Sequence, residues 1–354
     1  MAKQSPRASR GRAAADNPGN RYHAQQRVAA DDGWTAEAPA PLRTTLGIDH
    51  ARRAISHNDS PDIPFDRSVN PYRGCEHGCI YCYARPTHAW LDLSPGLDFE
   101  SRLLQRPQLP AQLRRELAAP GYRPTPLALG SITDAYQPVE RGTGLTRQIL
   151  QVLLQSRHPV TVITKSALIE RDLDLLGELA SQGLAEVAIS LTTLDRRLVR
   201  RLEPRAASPQ RRLQTLESLS SAGIPTRVLV APVIPVLTEP ELEQLLAAAR
   251  AAGASAADYT LLRLPLEVAP LFRAWLEETA PDAAQHVMNR LRASRGGRDN
   301  DSRFGSRMTG QGVYADLLAQ RFRVAVQRLG FPGIAPLRCD LFRPIPAAGQ
   351  MSLF

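Results

Sequence analysis

Asn70-Pro71-Tyr72-Arg73-Gly74-Cys75-Glu76-His77-Gly78-Cys79-Ile80-Tyr81-Cys82-Tyr83 sets three cysteines within eight residues, at C-x3-C-x2-C spacing. Thiolates this close on one short loop can converge on a metal centre, and iron–sulfur clusters are held by cysteine thiolates. Three local ligands leave one iron of a four-iron cluster open. An open coordination position marks a catalytic centre, whereas a structural site is closed. Gly74 and Gly78 let the backbone fold closely around a bulky group. The competing reading is a structural zinc site with His77 or His88 as fourth ligand, and no second C-x2-C pair supports it.

Outward from this loop, short apolar runs at 68–75, 126–132, 160–165, 185–192, 226–234 and 258–264 alternate with amphipathic segments at 145–155, 169–182, 210–222 and 239–252. Such alternation predicts an α/β fold with a parallel sheet and crossover helices. Six units suit a curved sheet or partial barrel, with chemistry at the C-terminal ends of the strands. The expected organisation is a flexible basic leader over 1–45, a core barrel over 60–268, a helical extension with an Arg/Gly-rich loop over 269–330, and a Pro-rich tail over 331–354. No internal repeat is present.

The chain has 354 residues, with 44 Lys+Arg against 35 Asp+Glu, a net charge of +9. Only Lys3 and Lys165 are lysines. An arginine excess suits a nucleic-acid partner and equally a solvated surface. Four cysteines, three of them in one loop, do not make a disulfide scaffold. The strongly apolar stretch 228–237 is about half a membrane span, and the basic N-terminus lacks an apolar signal core. The expectation is a cytoplasmic protein with no membrane partner.

The C-x3-C-x2-C loop with an aromatic before its third cysteine resembles the signature of the radical S-adenosylmethionine (SAM) superfamily. The resemblance implies a partial (β/α)6 TIM-like barrel, a [4Fe-4S] cluster on Cys75, Cys79 and Cys82, and Tyr81 beside the SAM adenine. It also implies reductive cleavage of SAM to a 5′-deoxyadenosyl radical that abstracts hydrogen from substrate, with an electron donor such as flavodoxin or ferredoxin. Here the protein supplies placement and exclusion of water.

Further segments resemble the spore photoproduct lyase branch, which reverses a thymine lesion in DNA. In Gly130-Ser131-Ile132-Thr133-Asp134-Ala135-Tyr136, the pair Thr133 and Asp134 matches the branch's residues near the SAM amine. Lys165 and Ser190, at the ends of the next two strands, match those near the SAM carboxylate. In Leu202-Glu203-Pro204-Arg205, Glu203 and Arg205 match residues that hold the ribose or brace the loop, and 230–235 matches the strand beside the adenine. Ile132 stands where the lyase carries its hydrogen-donating cysteine, so that termination step does not carry over. Tyr136 and Cys339 are the substitute candidates for relaying or returning hydrogen.

Gln350-Met351-Ser352-Leu353-Phe354 resembles the pentapeptide by which replication and repair proteins dock on the bacterial sliding clamp. Gln350, Met351, Leu353 and Phe354 would be its contact residues. This motif favours a DNA substrate; the arginines of 290–307 either grip phosphates or belong to a soluble, mobile loop, the two readings standing equal. Modification of tRNA or of a protein side chain is the enzymatic alternative. A non-catalytic, metal-stabilised DNA-binding module is the alternative outside catalysis.

Overall fold

A computed structural model describes residues 11–22 and 42–345. The β-branched, apolar composition of the runs makes them strands: β1 (Thr45–Ile48), β2 (Ile55–His57), β3 (Arg67–Val69), β4 (Tyr72–Arg73), β5 (Arg102–Gln105), β6 (Leu127–Leu129), β7 (Val160–Thr164), β8 (Ala185–Ser190), β9 (Thr226–Val233) and β10 (Ala256–Leu261). Seven form one sheet in the order β10-β9-β8-β7-β6-β3-β2. All neighbours from β3 to β10 are parallel, and only β2 runs antiparallel, on β3. Six parallel strands in sequence order form the curved sheet or partial barrel that the alternation suits and the partial (β/α)6 barrel that the resemblance implies.

The crossover helices sit where their apolar spacing puts them. Leu145–Gln155 buries Leu145, Ile149, Leu150, Val152 and Leu153 against the sheet. Leu242–Ala251 buries Leu242, Leu245, Leu246 and Ala249, the i, i+3, i+4, i+7 stripe of a packed helix. Both stripes join one core with Val160, Val162, Val187, Val228 and Val230. The expected helices at 169–182 and 239–252 each begin as a short 3-10 turn before Leu173–Ser181 and Leu242–Ala251.

One expected strand is split. The run 68–75 is β3 followed by β4, broken at Asn70-Pro71. Proline has no N–H to give to the ladder, so the chain leaves the large sheet there. Tyr72 and Arg73 pair instead with β5 in a small sheet of order β1-β5-β4. The cysteine loop therefore starts from its own platform beside the barrel mouth.

Helices Val268–Thr279, Pro281–Ala293 and Val313–Leu329 form the extension. The tail then crosses the floor of the barrel. Backbone N–H groups of Gly333, Arg338 and Arg343 donate to carbonyls of Ser255, Gly183 and Ser156, in the turns that precede β10, β8 and β7 (2.8, 2.9 and 2.9 Å). Phe342 packs there against Tyr122 and His158.

The Arg/Gly-rich loop between the last two helices is tied down and spans both edges of the sheet. The Leu261 N–H of edge strand β10 donates to the Met308 carbonyl (2.8 Å). Arg295, almost fully buried, donates to the carbonyls of Leu261, Leu262, Ser306 and Arg307. Beyond β2, at the other edge, Arg307 pairs with Asp62 and Ser60, and the Gly305 N–H donates to Asp62 (2.6 Å). This seam joins the two open sides. Among the described residues no helix is long and apolar enough to cross a membrane.

Candidate functional site

The cysteine loop is held from its backbone. The Cys75 N–H donates to the Phe99 carbonyl (2.9 Å), Ile80 N–H to Leu202 (3.0 Å) and Arg85 N–H to Cys82 (3.2 Å). Gly74 and Gly78 have positive φ. A Cβ on Gly74 would meet Leu103, His88 and Phe99 within 2.8 Å, and one on Gly78 would lie 2.6 Å from Glu100 Oε2. Only glycine fits either place.

Arg85, fully buried, donates Nε to the Cys79 carbonyl, Nη2 to Gly78 and Nη1 to Pro95 and Gly96. Its counter-ion is the equally buried Glu100 (2.5 Å). Glu100 also accepts the N–H groups of Ala13 and Ala14 (3.1 and 3.0 Å), and Arg12 donates to the Glu100 carbonyl. Residues 11–22 of the leader are thus docked on the loop. On the opposite side Gln137 accepts the Glu76 N–H (2.8 Å) and donates to the Gly74 carbonyl (3.1 Å), while Arg205 pairs with Glu76 (3.2 Å).

The three thiols are free and lie in or near the buried shell. Burial pushes each of them up, with Asp134 and Cys79 adding to the effect at Cys75 and Glu203 at Cys79. Buried thiolates therefore need a cationic group among them. Among the described residues no three His, Cys, Asp or Glu side chains gather on one point as a single ion would require. A four-iron cluster takes one thiolate per iron. Three thiols and a glycine-lined cradle fit it.

The strand ends bring the polar residues to this mouth. Asp134 accepts from the Lys165 N–H and Thr164 hydroxyl (both 2.7 Å) and lies 3.2 Å from His77 Nδ1. Burial alone would raise its carboxyl, but the His77 charge and these hydrogen bonds hold it down to about 2. Lys165 reaches from β7 to the Ser190 hydroxyl of β8 (2.7 Å), with Nζ 5.9 Å from the Tyr81 ring centre. Ser190 in turn donates to the Ala231 carbonyl (3.2 Å). Thr133 donates to the Tyr72 carbonyl (3.1 Å).

Glu203 is buried and saturated, accepting from Tyr81, Thr192 and Arg212. Burial would raise it; the charges of Arg212 and Lys165 and the Tyr81 hydroxyl hold it down to about 2. Of the two roles open to Glu203 and Arg205, both have the geometry of braces.

Two expected residues are elsewhere. Tyr136 is fully buried in the main core, its hydroxyl donating to Asp172 (3.0 Å). Cys339 lies in the tail on the barrel floor, beside the Arg338–Gly183 bond, at the opposite end of the strands from the cysteine loop. Neither is placed to relay or return hydrogen at the mouth, because one packs behind the sheet and the other beneath it. Gln350, Met351, Leu353 and Phe354 lie outside the described residues. Sequence reasoning missed Arg12, Arg85, Glu100 and Arg212, whose pairings join residues distant in sequence and leave no motif.

A family profile, that of the radical SAM superfamily, matches residues 69–249. An uncharacterised protein of Mycobacterium tuberculosis is 40% identical over 222 residues, which cover 62% of this chain and 65% of that protein's length. An uncharacterised protein of Methanocaldococcus jannaschii is 28% identical over 191 residues, covering 54% and 68%. Among solved structures, spore photoproduct lyase superposes with a TM-score of 0.57 at 16% identity, covering 81% of this chain and 79% of the lyase. That likeness is one of fold.

Proposed function

Because the chain belongs to the radical SAM superfamily, whose members work with a [4Fe-4S] cluster and SAM, we propose that this enzyme acts on a base of nucleic acid, DNA in the first place. Cys75, Cys79 and Cys82 would hold the cluster. Bound there, the cluster and SAM supply a 5′-deoxyadenosyl radical for hydrogen abstraction. Tyr81 would lie beside the SAM adenine, Lys165 and Ser190 would receive its carboxylate, and Thr133 and Asp134 would serve its amine. Asp134, its carboxyl held down by His77 and by hydrogen bonds, and the cationic Lys165 suit the two ends of an amino acid. Glu203 and Arg205 fix the loop against which SAM rests.

The observation that carries the reading is the meeting of the cysteine loop with Asp134, Lys165 and Ser190 at one mouth. Support for nucleic acid comes from the fold shared with spore photoproduct lyase, which has been solved with a dinucleoside spore photoproduct. Ile132, at the lyase's cysteine position and partly exposed, makes lesion reversal by that enzyme's own route unsuitable. A flavodoxin- or ferredoxin-type protein is the reductant in this proposal. Residues 350–354 would bring the enzyme to DNA through the sliding clamp, and their deletion should abolish clamp binding in a pull-down.

The test is anaerobic reconstitution and reduction with SAM, then assay of 5′-deoxyadenosine with ultraviolet-irradiated or intact DNA, tRNA or no substrate. Irradiated DNA should raise turnover and lose its lesion. Turnover indifferent to nucleic acid would defeat the reading.

A further inference from the structure

Arg263 follows β10 at the mouth, and among the described residues no carboxylate pairs with it. Its Nε is buried without an acceptor, and Nη1 has only the weak Met308 sulfur (3.3 Å). Nη2 has no partner among the described residues. The neighbouring Asp62 is spoken for by Arg307 and Gly305. Arg85 and Arg212 are neutralised by glutamates, and Arg295, whose Nε also lacks a partner, gives its other N–H groups to four carbonyls. A half-buried guanidinium left with a sulfur is costly unless a ligand completes it.

Its surroundings define the ligand. The guanidinium carbon lies 5.9 Å from the ring centre of Tyr83, the residue after Cys82. Tyr83 is half exposed and is fixed by its hydroxyl on the Ser131 carbonyl, at the end of β6. Across the seam Phe304 is also exposed, with the Arg307 guanidinium 4.6 Å from its ring centre. Flat aromatic faces beside guanidinium groups are the chemistry that takes stacked bases and phosphate together. A peptide carboxylate would use the guanidinium and leave the aromatic faces idle.

We propose that Arg263 is a substrate-binding residue that receives a phosphate oxygen of the nucleic-acid strand, with Tyr83 as the adjoining stacking face. The inference rests on the nucleic-acid reading above and locates its contact. A guanidinium keeps its charge at every physiological pH, and Nη2, without a partner among the described residues, is the group that gives a charge-assisted hydrogen bond to the phosphate oxygen.

The experiment measures binding of fluorescent single-stranded oligothymidylate, of pyrophosphate and of SAM to reconstituted wild-type enzyme and R263Q, over a salt series, with R263K as a second variant. Thermal melts show that the variants are folded. Loss of roughly tenfold in oligothymidylate affinity by R263Q supports the assignment. So does a salt slope lowered by about 0.7, one phosphate contact on a single strand. R263K should recover the slope but only part of the affinity, since lysine keeps the charge and loses the planar group beside Tyr83. Oligothymidylate binding equal in R263Q and wild type overturns the assignment and leaves the nucleic-acid reading standing. Pyrophosphate binding sensitive to R263Q in an enzyme that ignores oligothymidylate keeps the phosphate site and sinks the nucleic-acid reading. Loss of SAM affinity alone overturns the assignment in favour of the SAM carboxylate.

Discussion

At the scale of single residues, the cysteine loop depends on a charge that touches no cysteine sulfur. Arg85 binds the carbonyls of Gly78 and Cys79 and is neutralised by Glu100, both fully buried. Glu100→Gln leaves the guanidinium buried without its counter-charge, a loss of about 3–5 kcal/mol when one partner of such a pair is removed. Urea unfolding of the cluster-free protein should show it, and iron retention should fall with it. Lys165 answers to a different measurement. Its hydrogen bond to Ser190 holds the ammonium over Tyr81. Lys165→Met should weaken SAM binding at least tenfold, the worth of a charged hydrogen bond, while the cluster's visible absorbance remains. That the cysteine loop, Lys165 and Asp134 share one mouth was legible because each stands in a short segment matching the resemblance. Arg85 and Glu100 were not, because only folding shows which acid meets which base.

At the scale of elements, apolar periodicity reported the strands and crossover helices well, since each packs a regular face on one core. It failed where one proline outweighed the pattern, at Pro71, and where a tail without periodicity found its place along the turns beneath the strands. That tail shields His158, which accepts from Tyr122 (2.8 Å) and donates to the Pro159 carbonyl (2.9 Å) as a neutral ring. Burial pushes His158 down to about 4, and His88 likewise. Between pH 4 and 6.5 the unfolded chain binds protons that the folded chain refuses, so stability falls as pH drops through that window and is whole above it. Each histidine accounts for on the order of 3 kcal/mol at the acid end. His158→Gln should flatten roughly half of this slope in melts recorded across the window.

For the whole molecule, the arginines of the 290–307 loop were expected either to grip phosphate or to move freely, and most of them hold the structure instead. Arg292 pairs with Asp299, Arg295 with four carbonyls, Arg303 with Asp301 and Arg307 with Asp62. No sequence pattern distinguishes a binding arginine from a structural one; the supply of acceptors around it does. Asp62→Asn should loosen the seam, and limited trypsin digestion should then cut within 298–307 faster than in the parent protein. The melting temperature should change little, because the sheet core is untouched.

The seam also orders events in time. Its bonds join residues 243 and 247 positions apart, whereas Arg12, Arg85, Glu100 and the three loop cysteines lie within the first third of the chain. On a ribosome the residues of the seam after Arg295 emerge only when every strand they join has been synthesised. Contacts so distant in sequence form late. The seam is therefore the last clasp of the sheet to close, a tie between two edges that only a finished chain can make.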